Sequence, residues 1–357
     1  MKKFFLFIFV IFYGCLNKTP NFNYPYSKEI DHIDYYHGIK VPDPYKWLED
    51  DMSEETKNWV ELQNIETHKY LKTIIFREKL KKRIKDLNNY ERIGSPFKRG
   101  DYEYFYKNSG LQNHSVLYRR PVGSIDNEEV FLDPNKFSDD GTVALRGIYF
   151  SEDYSKAAYL ITEGGSDWRK AITIEVESRK IIEDTLKNIK FSGLSWKNND
   201  GFYYSGYDVA TDSSALSSIT NLHTVYYHEF GKPQGDDKFI FGGNKQPNRY
   251  IYSFVTEDQN YLVITAANTT SGNKLYIKNL KNKDSLLIQI QDNYLSEFSY
   301  ITNNENIFYF YTDRDAPNFS LISLNINNLN EWSYIIPEKE NVLRVSSAGK
   351  YFFANYL

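Results

Sequence analysis

The chain is 357 residues long, 41% hydrophobic and 25% charged, with a formal net charge of −4. That length suffices for a large core or for two domains, and the mild acidity argues against nucleic acid, because a phosphate backbone calls for clustered Lys and Arg. A single cysteine, Cys15, excludes an internal disulfide and any cysteine-based metal site.

The N-terminus reads as an export signal. Lys2 and Lys3 precede an apolar run from Phe4 to Tyr13, and Gly14-Cys15 follows at once. A basic start, a short apolar stretch and a small residue before the cut describe a secretory signal, too short to span a bilayer. A small residue followed by Cys resembles a bacterial lipobox, in which Cys15 carries the lipid. The alternative is ordinary secretion with an incidental cysteine. The expected location is the bacterial cell envelope, periplasm or surface, with the membrane touched only through the lipid.

Residues 16–26 have a tether's composition. Beyond them, Asp43 before Pro44 suits an N-cap and first helical residue, giving a short turn that buries Tyr45, Trp47 and Leu48. Ser53, with Glu54 and Glu55 after it, starts a longer helix. A second helix runs from about Arg77 to Leu87, with Leu80, Ile84 and Leu87 on one face. Its basic run, Lys79 to Arg83, reads as a solvated surface.

From about Asp101 the period changes to strands. A high aromatic content, with 31 Tyr, favours half-buried strand faces. Tyr102–Tyr106 and Ser115–Tyr118 form a first pair. The turn-rich stretch Ser138 to Gly141 leads into Val143–Phe150, then Ala157–Ile161 and Ile172–Val176. Later sets are Ile189–Trp196, Phe202–Tyr207, Thr224–Phe230 and Lys238–Phe241; Tyr250–Thr256, Tyr261–Ala266, Lys274–Lys278 and Leu286–Ile290; and Phe298–Thr302, Ile307–Thr312, Leu321–Asn325 and Trp332–Ile336. Hinges recur at Ser151, Ser195, Thr256, Thr302 and Ser346, most of them roughly 45 residues apart, the blade length of a β-propeller. The longer Ser195–Thr256 interval is assigned to a loop around Asp208 to Ser218. A sandwich also explains many short strands, but the repeat favours the propeller.

The expected fold is mainly β: an incomplete β-propeller of about five four-stranded blades plus part of a sixth, after a short helical segment. The expected division is 1–15 signal and lipobox, 16–26 tether, 27–88 helical segment and 89–357 truncated propeller. The sequence is apolar through Tyr351–Leu357, and an unclosed propeller leaves sheet edges that soluble proteins avoid.

The segments DYYHGIKVPDPYKWLED (Asp34 to Asp50), ETKNWVELQN (Glu55 to Asn64), VFLDPNKFSDDGTVALRGIYFSED (Val130 to Asp153) and GSDW (Gly165 to Trp168) resemble the prolyl oligopeptidase family. TNLHTVYYHEFG (Thr220 to Gly231) and TDRDAPNFSLISLNI (Thr312 to Ile326) do so too. The resemblance implies a serine peptidase in which a seven-bladed propeller caps an α/β-hydrolase domain that cleaves short peptides after proline. It also implies that the N-terminal segment packs on the hydrolase domain, which makes Asp43, Pro44, Tyr45, Trp47 and Leu48 packing markers rather than chemical groups; Trp168 is a further packing marker, on the propeller. The region after Trp168 is where a propeller wall facing the substrate is expected, although Thr173 is not aromatic and no subsite residue is carried over.

The chemistry of that family is not found in this stretch. A nucleophile elbow needs Gly-x-Ser-x-Gly, and the nearest approach, Gly164-Gly165-Ser166-Asp167-Trp168, has tryptophan at the second glycine and a strand after it. His32, His37, His68, His114, His223 and His228 lack metal-like spacing to one another or to carboxylates, so each reads as a satisfied surface or core histidine. The acidic clusters Glu49-Asp50-Asp51 and Asp139-Asp140 have helix-end and turn explanations, and phosphate-binding glycine loops are absent. The expectation is therefore no catalytic, cofactor-binding or metal-binding residue. The chain reads as a non-catalytic portion of a prolyl oligopeptidase-like enzyme, truncated or split and inactive alone, with the hydrolase half as partner if that half is encoded separately. The alternative is a stand-alone surface lipoprotein whose propeller binds a ligand or protein.

Overall fold

The computed structural model describes residues 22–208, 220–282 and 284–357, which fall into two compact units divided between Leu87 and Asn88. In the first unit, β1 (Ile33–Tyr36) and β2 (Ile39–Pro42) form a hairpin in register Ile33↔Pro42 to Tyr36↔Ile39. Its two-residue turn, His37-Gly38, has φ of 51° and 81°, the pair of positive values that matches the strand twist.

A 3₁₀ turn at Lys46–Glu49 precedes α1 (Glu54–Lys72) and α2 (Arg77–Asn88). The Ser53 hydroxyl caps α1 by accepting from Thr56 N at 3.1 Å, with Glu54 and Glu55 at the positive end of the helix and Lys69 and Lys72 at the other. The expectation for Asp43 needs correcting. Asp43 Oδ1 accepts from Tyr45 N at 3.1 Å, which makes a local turn, and the helical turn begins only at Lys46. Tyr45 is exposed, its hydroxyl donating to Glu29 at 3.0 Å; Trp47 and Leu48 are half-buried. A one-turn helix has a single sheltered side, and Tyr45 precedes it.

The second unit is β throughout. In its first blade, β3 (Arg92–Ile93) and β4 (Phe97–Arg99) share the edge of β5 (Tyr102–Asn108), followed by β6 (Val116–Pro121) and β7 (Glu129–Leu132). The second has β8 (Val143–Phe150), β9 (Lys156–Glu163), β10 (Trp168–Glu175) and β11 (Leu186–Lys190). The third has β12 (Ser195–Lys197), β13 (Gly201–Gly206), β14 (Thr224–Glu229) and β15 (Lys238–Gly242). The fourth has β16 (Tyr250–Val255), β17 (Tyr261–Ala267), β18 (Lys274–Asn279) and β19 (Leu287–Gln291). The fifth has β20 (Phe298–Asn304), β21 (Ile307–Thr312), β22 (Ser320–Asn325) and β23 (Trp332–Ile336). A sixth sheet holds the hairpin β24 (Leu343–Ala348) and β25 (Tyr351–Tyr356). Among the described residues every pairing is antiparallel, in five blades, the first with its edge split between β3 and β4, and the opening hairpin of a sixth.

One expected strand, Ile189–Trp196, is two. β11 closes the second blade at Lys190, Phe191 turns with φ of 49°, and β12 opens the third blade at Ser195. A strand cannot belong to two blades without reversing, and that bend is invisible in an apolar run. A single bridge, Ile189↔Gly206, still joins these two blades.

Alternation along each strand decides the core. In β17, Tyr261 and Val263 pack toward Phe298, Phe308 and Phe310 of the fifth blade, while Leu262, Ile264 and Ala266 pack toward Val225 and Phe241 of the third. In β9, Ala157 and Tyr159 meet the first blade and Ala158 and Leu160 the third. Successive side chains point to opposite faces, and both faces are covered by neighbouring blades. The core is thus a series of inter-blade layers. Each fully buried ring such as Phe308 or Phe310 contributes about 1.5–3 kcal/mol through burial.

The hinges are stitched in series. Each has a left-handed residue at the same place: Gly100 (φ 57°), Tyr154 (60°), Asn198 (49°), Gln259 (59°), Glu305 (51°) and Gly349 (58°). Asp153 N donates to Asn199 Oδ1 at 3.0 Å, Asn198 N to Gln259 Oε1 at 2.8 Å, and Asn303 Nδ2 to Asp258 Oδ2 at 3.0 Å. These bonds link the second blade to the third, the third to the fourth and the fourth to the fifth.

Candidate interaction sites on the propeller

Ser166 lies in the β9–β10 turn, where Gly164 and Gly165 have φ of 57° and 76°. Its hydroxyl accepts from Trp168 N at 3.1 Å, and no histidine is its partner among the described residues. His32 pairs with Asp34 at 3.1 Å, His68 Nδ1 donates to Asn64 O at 2.8 Å, and His114 Nε2 donates to Gly141 O at 2.9 Å. His223 is fully buried between blades: Nε2 donates to Lys190 O at 2.9 Å and Nδ1 accepts from Ile251 N at 2.9 Å. Burial pushes its pKa down to about 4, so it is neutral, in the tautomer that these two bonds require.

His228 on β14 is the polar centre that sequence spacing did not disclose. It is fully buried, with Nδ1 at 2.7 Å from Asp237 Oδ1 and Nε2 at 2.9 Å from Glu183 Oε1. Asp237 lies 9 residues away and Glu183 lies 45 away on another blade; neither separation has a helical or strand period. Burial alone would lower the imidazole pKa, but the hydrogen bonds and charges of Asp237 and Glu183 outweigh it and raise it to about 9. Burial likewise works to raise Glu183, yet His228, Gly231 N and Thr173 hold it below the usual carboxylate value. Asp237 Oδ2 also accepts from the Tyr204 hydroxyl at 2.6 Å. The arrangement is a charged clasp across the second and third blades, its imidazole shut off from solvent. Among the described residues, no cluster of His, Cys, Asp and Glu is arranged to hold a metal.

Of the expected wall after Trp168, the part from Ala171 onward is not a surface, since Ala171, Thr173 and Ile174 are buried between blades, whereas Arg169 and Lys170 border a cavity. Both faces of β10 are covered there, so its side chains serve the core. Trp168 itself stays half-buried at the end of the strand, edge-on to Tyr207 with ring centres 6.0 Å apart, and Lys190 Nζ lies 4.7 Å from its ring centre. Trp168 also lines a cavity of about 300 Å³ with Ile161, Ser166, Arg169 and Lys187. Sequence reasoning gave this residue a packing role and missed the cavity, which depends on an irregularity in β11.

In the first unit, Trp47 Nε1 donates to Lys28 O at 2.8 Å, Trp59 Nε1 donates to Ser27 Oγ at 2.8 Å, and the two indoles meet edge to face at 6.4 Å. Leu80, Ile84 and Leu87 lie on α2 as expected, but each is about half exposed. Cys15 and most of the loop placed at Asp208–Ser218 lie outside the described residues. No described helix is long and apolar enough to cross a membrane.

Residues 25–357 match the family model described as prolyl oligopeptidase, N-terminal beta-propeller domain. A prolyl endopeptidase of Elizabethkingia miricola is 47% identical over 341 residues, covering 95% of this chain and 48% of that protein. Prolyl oligopeptidase A of Galerina marginata is 30% identical, covering 93% of this chain and 50% of its own length. Among solved structures, prolyl oligopeptidase B of Galerina marginata, bound to a 25mer macrocyclization substrate, superposes with a TM-score of 0.79 at 28% identity, covering 93% of this chain and 51% of that one. The chain therefore spans about half the length of the relatives it matches. With five blades, the opening hairpin of a sixth and a family match from residue 25 to residue 357, the chain belongs to the prolyl oligopeptidase family and represents its N-terminal propeller portion.

Proposed function

We propose that this chain works as the propeller portion of a prolyl peptidase, acting with an α/β-hydrolase portion that supplies the serine, aspartate and histidine and cleaves short proline-containing peptides. The observation that carries this reading is the family match over residues 25–357, together with histidines whose partners are carboxylates or backbone groups rather than a serine hydroxyl among the described residues. The exposed apolar face of α2 supports a hydrolase portion as partner, because soluble units rarely leave such faces bare.

Alone, the purified chain is expected not to hydrolyse a proline-containing chromogenic peptide. Co-expression with the matching hydrolase half restores hydrolysis. Turnover by the rigorously purified chain, or no turnover from the combined halves, refutes the reading.

Export and lipidation at Cys15 form part of the same proposal and rest on the Lys2-to-Cys15 pattern. Labelled palmitate should enter the parent chain in bacteria and not the Cys15→Ala variant; equal labelling of both, or of neither, removes the anchor.

A further inference from the structure

The second blade carries a built feature that packing does not account for. β10 and β11 pair Trp168↔Lys190 and Arg169↔Ile189, but the next pair is Ala171↔Leu186, so Lys187 and Asn188 form a bulge. Bulges re-aim side chains at the expense of ladder bonds, and this one is secured on both sides. Gln234 of the third blade clamps the Lys187 backbone, Oε1 accepting from Lys187 N and Nε2 donating to Lys187 O, both at 2.9 Å. Asn188 is left-handed, with φ of 61°, and its carbonyl accepts from Tyr207 N at 3.2 Å. The same carbonyl stands 2.3 Å from where a Cβ of residue 206 would lie, a space open only because that residue is glycine.

The result is Lys187, exposed at the rim of the cavity of about 300 Å³ whose apolar walls include Trp168 and Ile161. Around it, Lys170 is paired with Glu163 at 2.6 Å and Arg169 donates to Ser192 O at 2.6 Å. Lys187 has no ion-pair partner among the described residues. Three cations and one carboxylate thus border an apolar slot at the lower end of ligand-pocket volumes.

We propose that this slot binds the C-terminal residue of an oligopeptide, its apolar side chain against Trp168 and Ile161 and its α-carboxylate on Lys187. The proposal rests on the peptide-processing reading above and deepens it. A chain terminus is the one peptide feature that carries a fixed negative charge whatever the sequence, and an apolar last residue sets its side chain beside that charge. Recognising it favours short peptides, whose ends lie within reach.

The test uses the full chain and N-acetyl-Gly-Pro-Gly-Pro-Leu, as free acid and as C-terminal amide, titrated by calorimetry. The parent should bind the acid about tenfold or more tightly than the amide, the size of one charge-assisted hydrogen bond. Lys187→Met should bind acid and amide equally, at the parent's affinity for the amide, whereas Lys350→Met, removing an exposed charge in the turn of the sixth sheet, should leave the parent's preference intact. A parent that binds neither peptide, or both alike, overturns the proposal, as does a preference that survives Lys187→Met. If the combined halves hydrolyse peptides while this preference is absent, the slot fails and the peptidase reading stands. If the preference is present and the combined halves hydrolyse nothing, the slot stands and the peptidase reading fails.

Discussion

Replacing His228 by leucine removes the cation from a site where Glu183 and Asp237 are each only 4% exposed. Two carboxylates would remain between blades with no counter-charge, and breaking a buried pair in this way costs about 3–5 kcal/mol. A second route gives a similar size. An imidazole raised from 6.5 to about 9 implies about 3 kcal/mol of preference for its charged form in the folded state, at 1.36 kcal/mol for each pH unit. Because the folded pKa is raised, this stabilisation is fully present below pH 6.5 and is lost as pH climbs through about 9. Glu183 is lowered from 4.5, so its share is present above that value and fades as acid drives pH below it. The clasp is therefore strongest between about pH 4.5 and 6.5. Urea unfolding followed by tryptophan emission suits the measurement, since Trp196 lies 5.2 Å from Phe202 and that ring lies 5.3 Å from His228. His228→Leu should lose about 3 kcal/mol at pH 6, with a gap to the parent that narrows toward pH 9.5. A loss under 1 kcal/mol at pH 6, or parallel profiles for parent and variant between pH 6.5 and 9.5, would refute the reasoning.

Gly272→Ala should destabilise the fourth blade severely, by about 3 kcal/mol or more, because a Cβ there lies 2.0 Å from the Tyr294 carbonyl oxygen and φ is 70°; a thermal melt within 2 °C of the parent contradicts this. Arg119 is 2% exposed, donates to Glu129 Oε1 at 2.6 Å and to Val176 O at 2.9 Å, and lies 4.3 Å from the Tyr102 ring centre. Lysine cannot make that fork or stack as guanidinium does. Arg119→Lys should therefore cost about 2 kcal/mol in urea unfolding, and an unchanged midpoint would show that the buried guanidinium adds no net stability.

The propeller hinges show how local patterns carried over into three dimensions. Ser151, Ser195, Thr256, Thr302 and Ser346 mark them in the sequence, and the left-handed residue follows each three positions on, at Tyr154, Asn198, Gln259, Glu305 and Gly349. Only the glycine and asparagine advertise that conformation. Tyrosine, glutamine and glutamate hold it because the surrounding turn imposes it. Around Tyr154, Asp153 Oδ1 accepts from Ser155 N at 2.9 Å and from the Ser151 hydroxyl at 2.9 Å; around Gln259, Asp258 accepts from Asn260 N at 3.1 Å and from the Thr256 hydroxyl at 2.6 Å. The position of each hinge was legible, and the backbone strain was not.

Strand identity, blade number and the capped start of α1 at Ser53 follow from near-neighbour chemistry: side-chain alternation, turn residues and a hydroxyl three positions from an amide. Those were set by the sequence itself. The split of Ile189–Trp196 into two strands, the joining of Glu183, His228 and Asp237, and the bulge that sets Lys187 at the rim of an apolar slot all depend on groups contributed by adjacent blades. Charges and carbonyls act through space at about 3 Å, whatever the number of residues between them, so only the folded chain could bring them together.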